Sequence, residues 1–296
     1  MIVTGDLNKV GAATAAREGG SKFAATSRIA LLHHNAYLTE LQVVRENPCS
    51  LVHTAEVHSP TDGPSQVFIK AFPSKFEATG LANEIAGYLL ACAAGLPVAS
   101  SACLLLLRTE QLNSVHPDHI ASLQNDTGLS LVWATRALPG PPLRILHPIN
   151  EPEFQKRLKK WPLLPSVLAF DDLVANEDRT NDNLVAISNG EFALVDHADI
   201  AGGISRLGQF PDPHSSSKNQ LLSSVYGTVV PHSVSSGMLL AAESHVAIFG
   251  AAKPEIEYWF KLLFNDQTDA QSMLAFLSAR AQLSASRVRT QQGLLI

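Results

Sequence analysis

Three residues in the middle of this 296-residue chain have the types and spacing that phosphoryl transfer requires. Asn183 follows Asp178 by five positions, and a second aspartate, Asp196, lies thirteen residues further on. In that chemistry a carboxylate orients the acceptor hydroxyl, while an asparagine and another aspartate hold magnesium beside the phosphates. The spacing therefore predicts Asp178 as the catalytic residue and Asn183 and Asp196 as Mg²⁺ ligands.

A predicted hairpin between Asn183 and Asp196 explains how these two predicted metal ligands can lie close together. The alternating apolar runs LVAI and FALV flank Asn189-Gly190, the favoured dipeptide of a two-residue type I′ turn. Counting outward from that turn pairs Asn183 with Asp196, at roughly 5 Å between their Cβ atoms. Singly, such residues are more typical of turns and caps. Their joint pattern favours a metal site.

Two residues beside the predicted site aspartates have two interpretations each. Arg179 either anchors the loop that carries Asp178 or forms a surface ion pair. His197 either helps to position the Asp196 carboxylate or is a hydrogen-bonded structural residue at a strand end. The sequence leaves both alternatives open.

A lysine inside an apolar strand predicts a nucleotide contact. Lys70 interrupts the run VFIKAF, and a buried ammonium group needs an anionic partner. In kinases that partner is a nucleotide phosphate together with a glutamate of the following helix. Glu84 has the matching place between Leu81 and Tyr88. Lys70 and Glu84 are therefore predicted to bind ATP, and an edge-facing lysine and a solvated glutamate are the alternatives.

Two further segments complete the predicted ATP site. The segment RENPCS between the first two strands lacks the glycine-rich loop that lets backbone amides approach phosphate. Ser50 and the nearby backbone are the phosphate contacts that remain. The adenine is predicted to lie against the backbone of one strand, at Leu131, Val132, Trp133 and Ala134.

The elements that position these residues follow from the apolar patterns. Strands near residues 37–44, 51–57 and 66–72 predict an antiparallel meander. A helix through Leu81 and Cys92 ends at Gly95, and two further strands follow near residues 100–107 and 129–135. Beyond the PGPP run helices predominate, at residues 163–176, 221–226, 238–249, 255–264 and 269–287.

This order of elements predicts an α+β fold of the two-lobed protein-kinase-like type. Residues 1–28 are predicted to form a flexible arm, residues 29–135 an antiparallel-sheet small lobe, and residues 136–296 a mainly helical large lobe that carries the catalytic loop and the metal site. ATP and Mg²⁺ are expected in the cleft between the lobes.

Composition excludes several classes of partner. The net charge of −5 and the absence of a Lys/Arg-rich run argue against direct nucleic-acid binding. Three cysteines without a C-x-x-C pair suggest neither zinc nor disulfides. No apolar run is long enough for a membrane span, and no signal peptide is evident. The expected location is cytoplasmic.

A longer stretch resembles a known family. FDDLVANEDRTNDNLVAISNGEFALVDHADIAGG is similar to the catalytic core of HipA-like kinases, an N-x-D-R-x-x-x-N loop followed by a hairpin that ends in a metal-binding aspartate. VFIKAF and NEIAGYLLACAAGLPVA are similar to the lysine strand and first helix of the same group. The resemblance spans roughly Leu38 to Gly203. Thr180 stands where the family commonly has histidine.

The resemblance implies an ATP- and Mg²⁺-dependent serine/threonine-protein kinase. It assigns catalysis to Asp178, the metal to Asn183 and Asp196, and the nucleotide phosphates to Lys70. The implied partners are a protein acceptor and, if the resemblance extends to biology, an antitoxin-like regulator.

Two other classes of function remain open. The D-R-x-x-D-N arrangement also resembles type II phosphatidylinositol 4-kinases, and a lipid or small-molecule kinase would differ only in its acceptor groove. Missing palmitoylation cysteines and a missing basic amphipathic helix argue against lipid. A catalytically inactive nucleotide-binding module is compatible with the missing glycines.

Overall fold

The computed structural model describes residues 28–47, 49–60, 63–112, 120–121, 123, 128–140, 151–188, 190–205 and 207–294. The chain forms two compact units. Of the described residues, the first contains those up to Leu81 together with those in Ser100–Ala137, and the second contains those in Ala82–Ala99 and Leu138–Ile296. The change of unit after Ala137 lies two residues beyond the predicted boundary. Residues 82–99, which the prediction placed in the small lobe, belong to the second unit.

Among the described residues the first unit contains a six-stranded mixed sheet and the second is mainly helical, so the predicted α+β class is confirmed, while the two-lobed kinase-like type stays a prediction. In chain order the strands of the sheet are β1 (Ile29–Leu32), β2 (Tyr37–Asn47), β3 (Ser50–Ser59), β4 (Gly63–Ala71), β5 (Ala102–Arg108) and β6 (Leu129–Arg136). Their order across the sheet is β1-β5-β6-β4-β3-β2.

The sheet is not wholly antiparallel, which corrects the prediction. β2, β3, β4, β6 and β5 pair antiparallel with their neighbours, but β1 pairs parallel to β5, with Ile29 opposite Ala102. β1 was not predicted because four apolar residues, IALL, are too few to show an alternation.

Alternation along β3 explains which face of the sheet is buried. Leu51, Ala55 and Val57 point into one apolar core, which also contains Ile69 of β4. His53 occupies the same face, fully buried, and its Nε2 lies 3.3 Å from the Tyr37 hydroxyl. Burial lowers the pKa of His53 to about 4.

The second unit is mainly helical. The first helix, α1 (Glu77–Ala93), contributes its residues from Ala82 onward. The remaining elements are α2 (Glu151–Lys160), α3 (Leu164–Leu173), the hairpin β7 (Leu184–Ser188) and β8 (Glu191–Leu194), α4 (Gln220–Tyr226), α5 (His232–Glu243), α6 (His245–Leu263) and α7 (Gln267–Gln292).

The helices after β8 differ from the prediction in one place. The break falls at Ser244, and α6 continues through Pro254, where the sequence suggested an end. Among the described residues no single helix is long and apolar enough to cross a membrane. α5 and α6 pass that test only as a pair, and they are bent by 46° at the break.

Two buried arginines of α7 form a polar centre among the helices. Arg287 donates from Nε and Nη2 to Oδ2 of Asp172, at 3.0 and 2.9 Å, and Arg280 donates to Oδ1 at 3.3 Å. Both also bind the segment before α4, at the carbonyls of Pro213 and Ser215. We call Asp172, Arg280 and Arg287 the helix cluster. Burial lowers the pKa of Arg280 to about 10, although Asp172 opposes this shift.

Candidate active site

Asp178 and Asn183 lie in the tight loop between α3 and β7 and contact each other. The Asn183 side-chain nitrogen donates to the carbonyl oxygen of Asp178 at 2.8 Å. Asp178 is exposed, whereas Asn183 is 5% exposed. Because its amide nitrogen is engaged, Asn183 has its amide oxygen as the candidate metal ligand.

Arg179 is fully buried and ties the loop to the strand end that precedes Asp196. Its Nη1 donates to the carbonyl oxygens of Asn183, at 3.3 Å, and of Val195, at 2.7 Å. Its Nη2 lies 3.3 Å from Nδ1 of His197. Of the two interpretations of Arg179, the anchor is confirmed and the surface ion pair is wrong.

The counter-ion of Arg179 is Asp171 of α3. Nε of Arg179 donates to Oδ1 of Asp171 at 3.1 Å, and both side chains are completely buried. The Asn176 amide donates to the same oxygen, while its own oxygen accepts from the N–H of Asp178 at 3.0 Å. We call Asp171, Asn176, Arg179 and His197 the site cluster. Burial raises the pKa of Asp171 to about 6, although Arg179 and Asn176 oppose this shift.

The hairpin register differs by one residue from the prediction. Ser188 pairs with Glu191, as a two-residue turn requires, but a bulge between Ala186 and Ser188 places Leu184 opposite Leu194. The N–H of Val195 consequently donates to the carbonyl of Asn183 at 3.1 Å. The predicted direct pairing of Asn183 with Asp196 is therefore wrong. The turn residue Asn189 lies outside the described residues.

A close backbone contact accompanies the bulge. Gly140 lies against β7 so tightly that a Cβ atom there would be 1.6 Å from the carbonyl oxygen of Ala186. Only glycine permits this approach. Gly140 belongs to the PGPP run, and no local pattern in the sequence indicates this contact.

The backbone at Asp196 has an unusual conformation. Its φ angle is +60°, and the two other non-glycine residues with positive φ in the described part of the chain are Ala175 and Ala201. All three flank the site, and the N–H of Ala201 donates to the carbonyl of Val174 at 2.8 Å. Such conformations cost of order 1–3 kcal/mol each and cluster at functional sites.

Helix α1 packs against the loop that follows Asp196. Glu84, 2% exposed, accepts a hydrogen bond from the N–H of His197 at 3.1 Å. A Cβ atom at Gly87 would lie 2.3 Å from Cβ of His197. Asn83 donates to the carbonyl oxygens of Ala198 and Ile200. The solvated alternative for Glu84 is wrong, and its predicted pairing with Lys70 stays a prediction.

Lys70 and Ser50 lie in the sheet of the first unit. Lys70 is 8% exposed, pairs in the ladder with Val52 and Trp133, and has its ammonium 5.3 Å from the centroid of the Phe72 ring. Ser50 begins β3 and is 4% exposed. Their contacts with nucleotide phosphates stay predictions.

The residues predicted to contact adenine, Leu131, Val132, Trp133 and Ala134, lie in β6, and their contact with adenine stays a prediction. Trp133 and Ala134 lie in the interior of the sheet, where β4 and β5 flank them on both sides and use their backbone groups. Burial raises the pKa of the Glu77 carboxylate to about 7, although the backbone of Leu131 opposes this shift. Val132 is fully buried and pairs with Leu105.

Sequence analysis missed the residues that brace the site from behind. Asp171, Asn176 and Asn83 are each at most 1% exposed. The available signal was weak: single polar residues inside the apolar stretches LAFDDLVAN and LANEIAGYLL. A polar side chain in a helix that is apolar all round must find a buried partner.

The donor set suits magnesium. Mg²⁺ prefers oxygen ligands and is commonly held by one or two protein side chains, with waters and substrate phosphates as its other ligands. Asn183 and Asp196 offer one amide oxygen and one carboxylate, on segments that Arg179 joins. Among the described residues no three His, Cys, Asp or Glu side chains come together as an alternative metal site.

No protein-family model matches the chain, and no curated protein matches it either.

Proposed function

We propose that the chain is an ATP- and Mg²⁺-dependent kinase that transfers the γ-phosphate to a serine or threonine hydroxyl of a protein. One observation carries the proposal. A single buried side chain, Arg179, binds both the loop of Asp178 and Asn183 and the strand end before Asp196. The three residue types of phosphoryl transfer are thereby held in one hydrogen-bonded unit.

Each residue has a role that its environment supports. Asp178 is exposed and can accept the proton of the acceptor hydroxyl, whose oxygen bonds to the γ-phosphorus as the bond to the ADP oxygen breaks. Asn183 and Asp196 would hold the magnesium, which offsets the phosphate charge when bound. Lys70 keeps its predicted role as a phosphate ligand, and the resemblance to HipA-like kinases supplies the protein acceptor.

The test measures transfer and binding separately. Purified chain is incubated with radiolabelled ATP and Mg²⁺ in the presence of cell lysate, of lipid vesicles, or of pooled small hydroxyl compounds. We expect label on protein with wild type and none with Asp178→Asn or Asp196→Asn. Asp266→Asn is the matched control, because Asp266 is exposed and asparagine also caps a helix.

Thermal melting distinguishes the two aspartates. A ligand at 100 times its dissociation constant stabilises a fold by about 2.7 kcal/mol. Mg-ATP should raise the melting temperature of wild type and Asp178→Asn, but much less that of Asp196→Asn. Label on lipid or on a small compound would show that the acceptor belongs to that class and is not a protein. Wild type with neither transfer nor a Mg-ATP shift would refute the kinase.

A further inference from the structure

Asn83 of α1 has no solvent contact to explain its polarity. It is 1% exposed, and its nitrogen Nδ2 lies 2.5 Å from the carbonyl oxygen of Ala198 and 3.2 Å from that of Ile200. Its own oxygen has no hydrogen-bond partner among the described residues. The hydrogen bonds of this buried amide therefore go entirely to the backbone of the loop after Asp196.

Ala198, whose carbonyl accepts one of these bonds, also binds the Asp196 carboxylate. The N–H of Ala198 donates to Oδ1 of Asp196 at 3.4 Å, while the carbonyl of Ala198 accepts from Asn83. The backbone of Ala198 is thus held from two sides, by the carboxylate and by the helix. Asp196 itself has a φ angle of +60°, a conformation that surrounding contacts must maintain.

We propose that Asn83 is a positioning residue that sets the Asp196 carboxylate for magnesium. This rests on the proposed function, since it assigns Asp196 to the metal. Glu84 holds the neighbouring N–H of His197, and Asn83 donates to the carbonyls of Ala198 and Ile200 that follow it. The role resembles that of outer-shell partners of metal ligands, whose loss typically costs 10–100-fold in metal affinity or activity.

The test uses Asn83→Asp, which keeps the shape but replaces the donor by a carboxylate that repels both carbonyls. We expect faster amide hydrogen exchange over residues 196–203 in the absence of nucleotide. We also expect the magnesium concentration for half-maximal activity to rise about tenfold. The KM for the protein acceptor should stay unchanged, which a general loss of structure would not produce.

Asn219→Asp is the matched control. Asn219 is also buried and donates to a backbone carbonyl, that of Leu168 at 3.0 Å, and its oxygen caps α4 at the N–H of Leu222. Aspartate keeps the cap and loses the donor. This variant should lose stability without a change in magnesium dependence or in exchange over residues 196–203.

The outcomes separate this inference from the proposed function. Unchanged exchange over residues 196–203 in Asn83→Asp overturns the role of Asn83, whether or not the chain is a kinase. In an active enzyme, an unchanged magnesium requirement overturns it as well. A wild type without Mg-ATP response refutes the kinase, and exchange alone then decides whether Asn83 holds the loop. If Asn83→Asp does not fold, Asn83→Ser removes the repulsion and has the same expected outcomes.

Discussion

Two neighbouring aspartates at the end of α3 each form buried ion pairs with arginine, and the ion pairs of the two aspartates lie in different clusters. Asp171 and Asp172 are both buried, and each pairs with a buried arginine. Asp171 serves the site cluster through Arg179, and Asp172 serves the helix cluster through Arg280 and Arg287. One turn of helix therefore supplies counter-charge to the candidate active site on one side and to the helical scaffold on the other.

The two clusters differ in which backbone carbonyls the remaining N–H groups of each guanidinium group bind. Arg179 binds the carbonyls of Asn183, itself a predicted metal ligand, and of Val195, which precedes the other ligand, Asp196. Arg280 and Arg287 bind the carbonyls of Ser215 and Pro213, which precede α4. Buried ion pairs are weak evidence for net stability, but removing one partner is strongly destabilising. Damage to either cluster should therefore lower stability, and damage to the first cluster should also reduce activity.

The largest effect is expected for Asp172→Asn. The substitution keeps the shape but leaves two buried guanidinium groups without their only ion-pair partner in the helix cluster. We expect the free energy of unfolding, measured by urea denaturation, to fall by about 3–5 kcal/mol.

A surface ion pair gives the control for Asp172→Asn. Glu243 pairs with Arg289 at 3.0 Å, and both side chains are at least 40% exposed. Glu243→Gln should change the free energy of unfolding by about 1 kcal/mol or less. Equal losses of unfolding free energy in the two variants would show that the buried helix cluster contributes no more to stability than an exposed ion pair.

Two arginine-to-lysine substitutions compare the clusters directly. Lysine keeps the charge but loses the planar fork that binds several acceptors at once. Arg179→Lys should reduce the proposed phosphoryl transfer roughly 100-fold, since outer-shell changes reach that size. Arg287→Lys should lower stability, with the rate per folded molecule close to that of wild type. Transfer rates at a temperature well below both melting points check this.

A reversed result would break the comparison. If Arg287→Lys lost transfer while remaining folded, the segment before α4 would belong to the active site. If Arg179→Lys kept full transfer, the bonds from Arg179 to the two loop carbonyls would be dispensable for the chemistry.

The two clusters also show how far sequence analysis reaches. The D-R-x-x-x-N pattern located Arg179 and its neighbours because the spacing of that loop is short and local. Arg280 and Arg287 were not predicted, because their partner Asp172 lies more than a hundred positions away in the chain. α7 offers only a helical stripe in which arginine and serine alternate with apolar residues. No local pattern reports such a pairing.

The register of the hairpin between β7 and β8 could be predicted only in part from the sequence. Turn chemistry correctly paired Ser188 with Glu191, but it does not indicate the bulge beyond it, where Gly140 approaches Ala186. That contact joins residues far apart in the sequence. Likewise, β1 pairs with β5 across some seventy positions. The strands and helices with clear periodicity were predicted, while register and parallel pairing required tertiary contacts.

The clusters should respond to pH with opposite signs. Burial raises the pKa of Asp171 to about 6, so the folded state holds a proton that the unfolded state releases near 3.8. This contribution to stability is full below 3.8 and is lost as pH rises through 6. Burial lowers the pKa of His245, beside the helix cluster, to about 4. That contribution is full above 6.5 and is lost as pH falls through 4.

Urea denaturation between pH 4 and 7 separates the two contributions, each at most on the order of 2–3 kcal/mol. Asp171→Asn should make the loss of stability on acidification steeper. His245→Gln should make it shallower. Identical pH slopes in wild type and both variants would show that neither group changes its protonation on folding in this range.

The smallest effects come from two helical glycines that alanine should affect with opposite signs. Gly87 of α1 lies against His197, and a Cβ atom there would be 2.3 Å from that residue. At Gly250 of α6, no atom of the described residues outside the helix's own backbone lies within 4 Å of a Cβ atom built there. Gly250→Ala should raise the free energy of unfolding by up to about 1 kcal/mol, because alanine favours helix. Gly87→Ala should lower it by about 1–3 kcal/mol through overpacking and should weaken Mg-ATP binding by displacing the Asp196 loop. A stabilising Gly87→Ala would mean that α1 does not pack on that loop, and the bracing of the site by α1, that of Asn83 included, would fail with it.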